Sequence, residues 1–313
     1  MNDFNVIFGT GPLGKSVMRE LVSRGEKVRM INTSGHAEVP VTVEVVKCDA
    51  YSEEQTKYYC RGAKTVFQCA QPPYNKWREK FPALQHSIAV GAYSTGAKLV
   101  AGDNYYMYGD VSEPLTEDMA NLATTKKGKV RAQMAEDLML LHKRGTLAVC
   151  IARGADFFGP EVTNSTMGGR VFPALINGGT CSMIGNVDLL HSYTFIDDFG
   201  KAMVELSSQD NCFGQIWHVP SYNRHSSRQV IEVASSITGK APKISSMGKG
   251  MMRIGGLFLP EARETLEMMY VFEKPFVFDV TKYTSHFNYR ATPLHQALEE
   301  TIKWYKDKYN AQK

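Results

Sequence analysis

Apolar and polar positions alternate between two periods along the first half of this 313-residue chain. Short β-branched and apolar runs predict strands at Asn5–Phe8, Lys27–Ile31, Thr42–Val46, Thr65–Cys69, Lys98–Ala101 and Leu147–Ala152. Stretches of helical spacing lie between them, at Pro12–Ser23, Glu53–Arg61, Pro82–Thr95 and Lys127–Lys143. Pro82 suits a first helical position, where the missing N–H costs nothing, and Leu84, Ile88, Ala92 and Thr95 follow it at helical spacing. Strands separated by helices imply parallel crossovers, so the pattern predicts an α/β fold, a Rossmann-type doubly wound parallel sheet.

After Phe158-Gly159-Pro160 the rhythm changes. Gly168–Asn177 reads as a helix, Thr180–Ile184 as a strand, and "HSYTFIDDFGKAMVEL" as a strand running into a helix. Further helices are predicted at Ser227–Thr238, Glu261–Tyr270 and Pro293–Lys308. These segments predict a smaller C-terminal lobe for substrate, interleaved with the sheet. Residues 1–160 and about 188–213 form the dinucleotide-binding domain; about 161–187 and 214–313 form the lobe.

Composition narrows the class. With 43% hydrophobic and 22% charged residues, the chain has an ordinary soluble globular make-up. The net charge of +4 is spread out, and the run Lys126–Arg131 is short and lacks interleaved aromatics, which argues against a nucleic-acid partner. No window reaches the ~18 apolar residues of a membrane span, so no membrane partner is expected. The first strand starts close to Met1 and leaves no room for a signal peptide. Six cysteines without a C-x-x-C pair predict reduced thiols in a cytoplasmic protein, with no metal site.

The candidate chemistry begins at Gly9-Thr10-Gly11-Pro12-Leu13-Gly14, between the first strand and the first helix. In that context Gly9 makes the turn out of the strand, Gly11 admits a pyrophosphate to the backbone, and Gly14 packs helix on strand. The pyrophosphate sits on the helix N-terminus. The second strand ends in Asn32-Thr33-Ser34, without the acid that binds an NAD ribose. This uncharged end leans towards NADP over NAD, although no arginine is present to clamp a 2′-phosphate.

Several later stretches, in order, give the chain a family resemblance. They are "VVKCDA", "VFQCAQPPYNKW", "NYYMYGD", "ARGADFFGP", "TFIDDFGKAM", "GQIWHVPS" and "NYRATPLHQALEETIKWY". Together they resemble the extended and atypical short-chain dehydrogenase/reductases, which include the NAD-dependent epimerase/dehydratases. The resemblance covers nearly the whole chain. It implies that Asp49 and Ala50 lie by the adenine, and that Ala70, Gln71 and Pro72 run along the cofactor. It places Arg153 and Ala155 beside the nicotinamide. It also implies a homodimer paired through the helices Pro82–Thr95 and Lys127–Lys143.

The same resemblance exposes a gap. Family enzymes use a Ser/Thr after the fifth strand and a Tyr-x-x-x-Lys on the next helix. Those positions here read Asn104, Gly128 and Ala132. Candidate replacements are Lys129, beside the vacated tyrosine position, Tyr108, a phenol near the cofactor, and Asn104, which can hydrogen-bond a carbonyl but not transfer a proton. On the substrate side, Asn164 matches a family asparagine. His191 stands where nucleotide-sugar enzymes carry an arginine for the diphosphate, and Asp156 is a further candidate. An aromatic lining of Tyr74, Trp77, Tyr105, Tyr108, Phe158, Phe172 and Tyr193 suits a small carbonyl or alcohol. Two readings stay open: an NAD(P)-dependent oxidoreductase or epimerase/dehydratase-like enzyme without the usual triad, and an NAD(P)-binding sensor that has lost catalysis.

Overall fold

The predicted alternation resolves into a seven-stranded sheet of order β3-β2-β1-β4-β5-β6-β10, in a computed structural model that describes residues 3–255 and 265–310. Its strands are β1 (Phe4–Phe8), β2 (Lys27–Asn32), β3 (Glu44–Lys47), β4 (Ala63–Gln68), β5 (Lys98–Asp103), β6 (Val149–Arg153) and β10 (Ile216–His218). Strands β1 to β6 pair in parallel. The order reverses between β1 and β4, the switch point where doubly wound sheets bind ligands at their carboxyl ends.

The helices α1 (Pro12–Ser23), α2 (Glu53–Cys60), α3 (Trp77–Tyr93), α4 (Lys126–Lys143) and α6 (Ile196–Ser207) accompany this sheet. Val6, Phe8, Val66, Leu99 and Ile151 on the strands are buried in one cluster with Leu84 and Ile88 of α3 and Met134 and Leu138 of α4. That cluster carries the 3.6-residue period of both helices.

Pro82 is not a first helical residue: α3 begins at Trp77 and Pro82 lies inside it. An interior proline costs about 3 kcal/mol. Trp77 and Phe81, 6% and 4% exposed, offset it, since burying one large apolar side chain contributes about 1.5–3 kcal/mol. Trp77 Nε1 also donates to the Pro72 carbonyl at 3.2 Å.

The chain divides into two compact units, each drawn from three segments. The first is Met1–Met107, Lys126–Arg153 and Phe199–Trp217; the second is Tyr108–Thr125, Gly154–Asp198 and His218–Lys313. The second unit contains the parallel pairs β7 (Asp156–Phe158) with β9 (Tyr193–Phe195), and β8 (Thr180–Ile184) with β11 (Lys243–Met247). Its core joins Phe172 and Leu175 of α5 (Phe172–Asn177), Val230 and Ile231 of α7 (Ser227–Thr238), and Leu298 and Tyr305 of the C-terminal helix Leu294–Asn310. The helix predicted from Gly168 starts only at Phe172. Of the helix predicted over Glu261–Tyr270, residues 261–264 lie outside the described residues.

Candidate functional site

The turn after β1 has the geometry its glycines imply. Gly9 sits at φ +107°, and a Cβ there would lie 2.8 Å from the Ala70 amide nitrogen. A Cβ on Gly14 would lie 2.0 Å from the Gly9 carbonyl oxygen, so only glycine lets α1 start this close to the strand. A Cβ on Gly11 would meet nothing within 4 Å. Gly11 is also the N-cap of the 12-residue α1, with no side-chain cap and no acid in the first turn. A helix N-terminus left open in this way fits a pyrophosphate.

Around this turn, Leu13 lies against Gly102, and Thr10 Oγ1 accepts a 2.9 Å hydrogen bond from Asn32 Nδ2. Asn32 also donates to the His36 carbonyl, while its Oδ1 accepts from the Ser34 and Gly35 amides at 3.0 and 2.6 Å. Its carboxamide therefore shapes the loop after β2, where Thr33 and Ser34 are exposed. Lys47, which the motif reading passes over, pairs with Asn32 in register, and its Cβ packs against Gly35. The signal for it was the parallel β2–β3 pairing, which no spacing within one segment shows. Asp49, exposed, accepts from the Tyr51 amide at 3.0 Å; Ala50 is half-buried, Gln71 exposed and Pro72 buried.

Past the carboxyl ends of β5 and β6 lies a buried charge cluster. Asp103 Oδ1 accepts from Arg131 Nε at 2.9 Å, and Oδ2 accepts from Arg153 Nε at 2.9 Å. The three side chains are 4%, 4% and 1% exposed. Burial alone would push the Asp103 carboxyl up; the Arg131 and Arg153 guanidiniums outweigh it and hold it below the usual carboxylate range. Arg153, which the motif assigns to the cofactor, is tied to Asp103 through its Nε. Half-buried Asn104 uses its Oδ1 to accept from the Tyr106 amide at 3.1 Å, which shapes the turn after β5.

Lys129 is exposed, so the structure takes it out of the interior. Helix α4 buries Lys127, Gly128, Arg131, Met134, Ala135 and Leu138, and this phase turns Lys129 to solvent. Lys127, only 5% exposed, is the inward lysine, and the helical period could have identified it. Tyr74 and Trp77 meet at 5.0 Å between ring centroids, both in the first unit. Between α3 and α4, a groove of about 220 Å³ lined by Pro82, His86, Leu138, Leu141 and Arg144 contains none of the predicted site residues.

In the second unit, Tyr108 is fully buried and its hydroxyl is 2.6 Å from His218 Nε2. His218 Nδ1 donates to the Asp279 carbonyl at 2.8 Å, so the neutral ring accepts the Tyr108 proton at Nε2. Tyr108, a candidate acid from the sequence, thus lies buried with its hydroxyl hydrogen-bonded to His218. Phe158 and Phe172 are fully buried, packed on Phe195 and Tyr305. Tyr193 is also fully buried and bonds Ser227 through its hydroxyl at 2.7 Å. All three belong to the buried apolar cluster of the second unit. Tyr105 is 4% exposed, and the Ala155 amide donates to Thr194 Oγ1 at 2.9 Å. Asn164 is exposed. His191 and Asp156 do come together, Nε2 to Oδ2 at 2.9 Å, with the imidazole stacked on Phe272 and Thr166 donating to the same carboxylate.

Among the described residues no group of three or more side chains could hold a metal ion, and no helix is long and apolar enough to cross a membrane. Burial disfavours the thiolate at three cysteines, pushing Cys48 and Cys181 up to about 11 and Cys60 up to about 12.

Comparison with known proteins places this geometry. No curated protein matches the chain. Among solved structures, UDP-glucuronic acid 4-epimerase from Bacillus cereus, in complex with UDP-glucuronic acid and NAD, is 15% identical, with a TM-score of 0.77 over 97% of this chain and 99% of that one. UDP-glucose 4-epimerase from Thermotoga maritima, with UDP-glucose, is 16% identical, with a TM-score of 0.78 over 98% and 100%. A dTDP-glucose 4,6-dehydratase from Streptomyces venezuelae, with NAD bound, is 15% identical, with a TM-score of 0.77 over 98% of each chain. These likenesses show the fold. The family model described as the NAD dependent epimerase/dehydratase family matches residues 6–217, more than half of the chain, and the chain belongs to that family.

Proposed function

We propose that this protein is a nicotinamide-dinucleotide-dependent oxidoreductase or isomerase acting on a small carbonyl or alcohol. The observation that carries the reading is the turn at Gly9–Gly14, with an uncapped α1 N-terminus and open space over Gly11. The residues that would hold the dinucleotide are Gly9 to Gly14 at the pyrophosphate, Asn32 and Lys47 at the adenosine ribose, and Asp49 and Ala50 at the adenine. When bound, the nicotinamide supplies hydride chemistry.

NADP is the favoured form. No carboxylate at the end of β2 repels a 2′-phosphate, and Lys47 stands across from Asn32 as a nearby cation. His191, held by Asp156, presents no bidentate guanidinium, which argues for a substrate other than a nucleotide diphosphosugar. A second reading, a dinucleotide sensor without turnover, is favoured by Gly128 and Ala132 at the Tyr-x-x-x-Lys positions.

One experiment separates the two. NADPH and NADH are titrated into the protein by fluorescence; each reduced form is then assayed against a panel of small carbonyls, and each oxidised form against the matching alcohols and UDP-glucose. Saturable binding with turnover of a small carbonyl supports the enzyme. Binding without turnover of any panel member supports the sensor, and turnover of UDP-glucose alone overturns the substrate class.

A further inference from the structure

Three side chains meet beside the carboxyl ends of β4 and β5, in the first unit. Tyr74 lies in the turn Tyr74–Lys76 after β4, Tyr106 in the turn Tyr106–Tyr108 after β5, and Lys127 in the first turn of α4. The Lys127 Nζ stands 4.3 Å from the centroid of the Tyr74 ring. The Tyr74 hydroxyl donates to the Tyr106 hydroxyl at 3.2 Å. Both phenols are half-buried, while Lys127 is buried. Trp77 packs edge-on against Tyr74 and lies 5.8 Å from Tyr106 between ring centroids, and the Arg131 guanidinium lies 5.8 Å from the Trp77 ring. Charged groups near the pair include Lys127 and, behind Trp77, Arg131, which is ion-paired with Asp103.

A lysine is seldom buried without purpose, and an ammonium beside a phenol favours the phenolate. Gly128 leaves no side chain where the family's tyrosine would project. We propose that Tyr74 is the proton-transferring phenol of this protein, with Lys127 as its supporting cation and Tyr106 as its hydrogen-bond partner. The Tyr–Lys pair is then assembled from two elements instead of one helix. This rests on the reading of the chain as a dinucleotide-dependent oxidoreductase.

When a carbonyl becomes an alcohol, the Tyr74 O–H bond breaks and a new O–H bond forms on the former carbonyl oxygen. The Tyr74 phenolate is held by the Lys127 ammonium and by the Tyr106 O–H, which turns towards it, and it recovers a proton from water. The hydride reaching the carbonyl carbon is supplied by a reduced nicotinamide dinucleotide. In the oxidative direction the Tyr74 phenolate takes the alcohol proton.

The test is an ultraviolet titration of tyrosinate in the intact protein, read as wild type minus Tyr74→Phe. The expected difference is one phenol ionising at least about one pH unit below the value near 10 of a free tyrosine. Lys127→Met and Tyr106→Phe each move that ionisation upward. If Lys127→Met fails to fold, as judged by near-ultraviolet circular dichroism, Tyr106→Phe and the Tyr74 difference decide. A Tyr74 phenol ionising at or above about 10 overturns the proposal. In the carbonyl assay Tyr74→Phe lowers kcat about 100-fold or more with the dinucleotide Kd unchanged. Undiminished turnover in Tyr74→Phe overturns the proposal while leaving the functional reading intact. Failure of the wild type to bind either dinucleotide overturns that reading, and the proton role with it.

Discussion

Asp103 shows how one residue's environment decides its consequences. Its carboxylate holds two buried guanidiniums, so Asp103→Asn leaves them uncompensated and costs about 3–5 kcal/mol in chemical denaturation. Because its folded pKa lies below that of the unfolded chain, its contribution is fully present above the unfolded value, about 3.9. It is lost as pH falls through the lower, folded value. The thermal midpoint of the wild type therefore drops on acidification below about pH 4, more steeply than that of Asp103→Asn. Lys129→Ala, by contrast, changes stability by less than about 0.5 kcal/mol and leaves turnover unaltered, since the side chain faces solvent. The choice between Lys127 and Lys129 was legible in the helical period, once the phase is read from Arg131, Met134 and Leu138. The Asp103–Arg131–Arg153 cluster was not legible, because its members come from two strands and a helix far apart in the chain.

Among the elements, β1, α1 and β2 follow their local pattern closely, and α1 has the bounds its spacing predicts, Pro12–Ser23. Strong periodicity and a clear glycine turn leave tertiary structure little to override. Gly14→Ala tests the close start of α1: the added methyl meets the Gly9 carbonyl, and the expected loss is about 1–3 kcal/mol. Helix α3 is the counterexample, since local proline chemistry predicts its start at Pro82 and the burial of Trp77 and Phe81 moves it to Trp77. The β2–β3 edge carries a prediction of its own. Lys47→Ala weakens NADPH binding about fivefold, the worth of one exposed ion pair, and leaves NADH unchanged in parallel fluorescence titrations. Equal weakening of both would remove Lys47 from the 2′-phosphate.

At the scale of the whole molecule, the sequence and the family together account for a Rossmann-type sheet that carries a dinucleotide turn. The aromatic residues were less readable. Phe158, Phe172 and Tyr193 have the composition of a ligand lining and the burial of a core, and no one-dimensional pattern separates the two. Dinucleotide binding at this turn depends most on the open space over Gly11. Gly11 has φ −77°, a conformation alanine adopts, and its added methyl would meet nothing within 4 Å. Gly11→Ala should thus cost about 1 kcal/mol or less as an N-cap change, while placing a methyl where a pyrophosphate would rest. The most direct measurement is NADPH and NADH binding to wild type and Gly11→Ala at matched folded fractions. The account predicts saturable wild-type binding in the micromolar to millimolar range, weakened at least about tenfold in the variant, or by 1.4 kcal/mol. Absence of wild-type binding, or equal affinity in a folded Gly11→Ala, would contradict it.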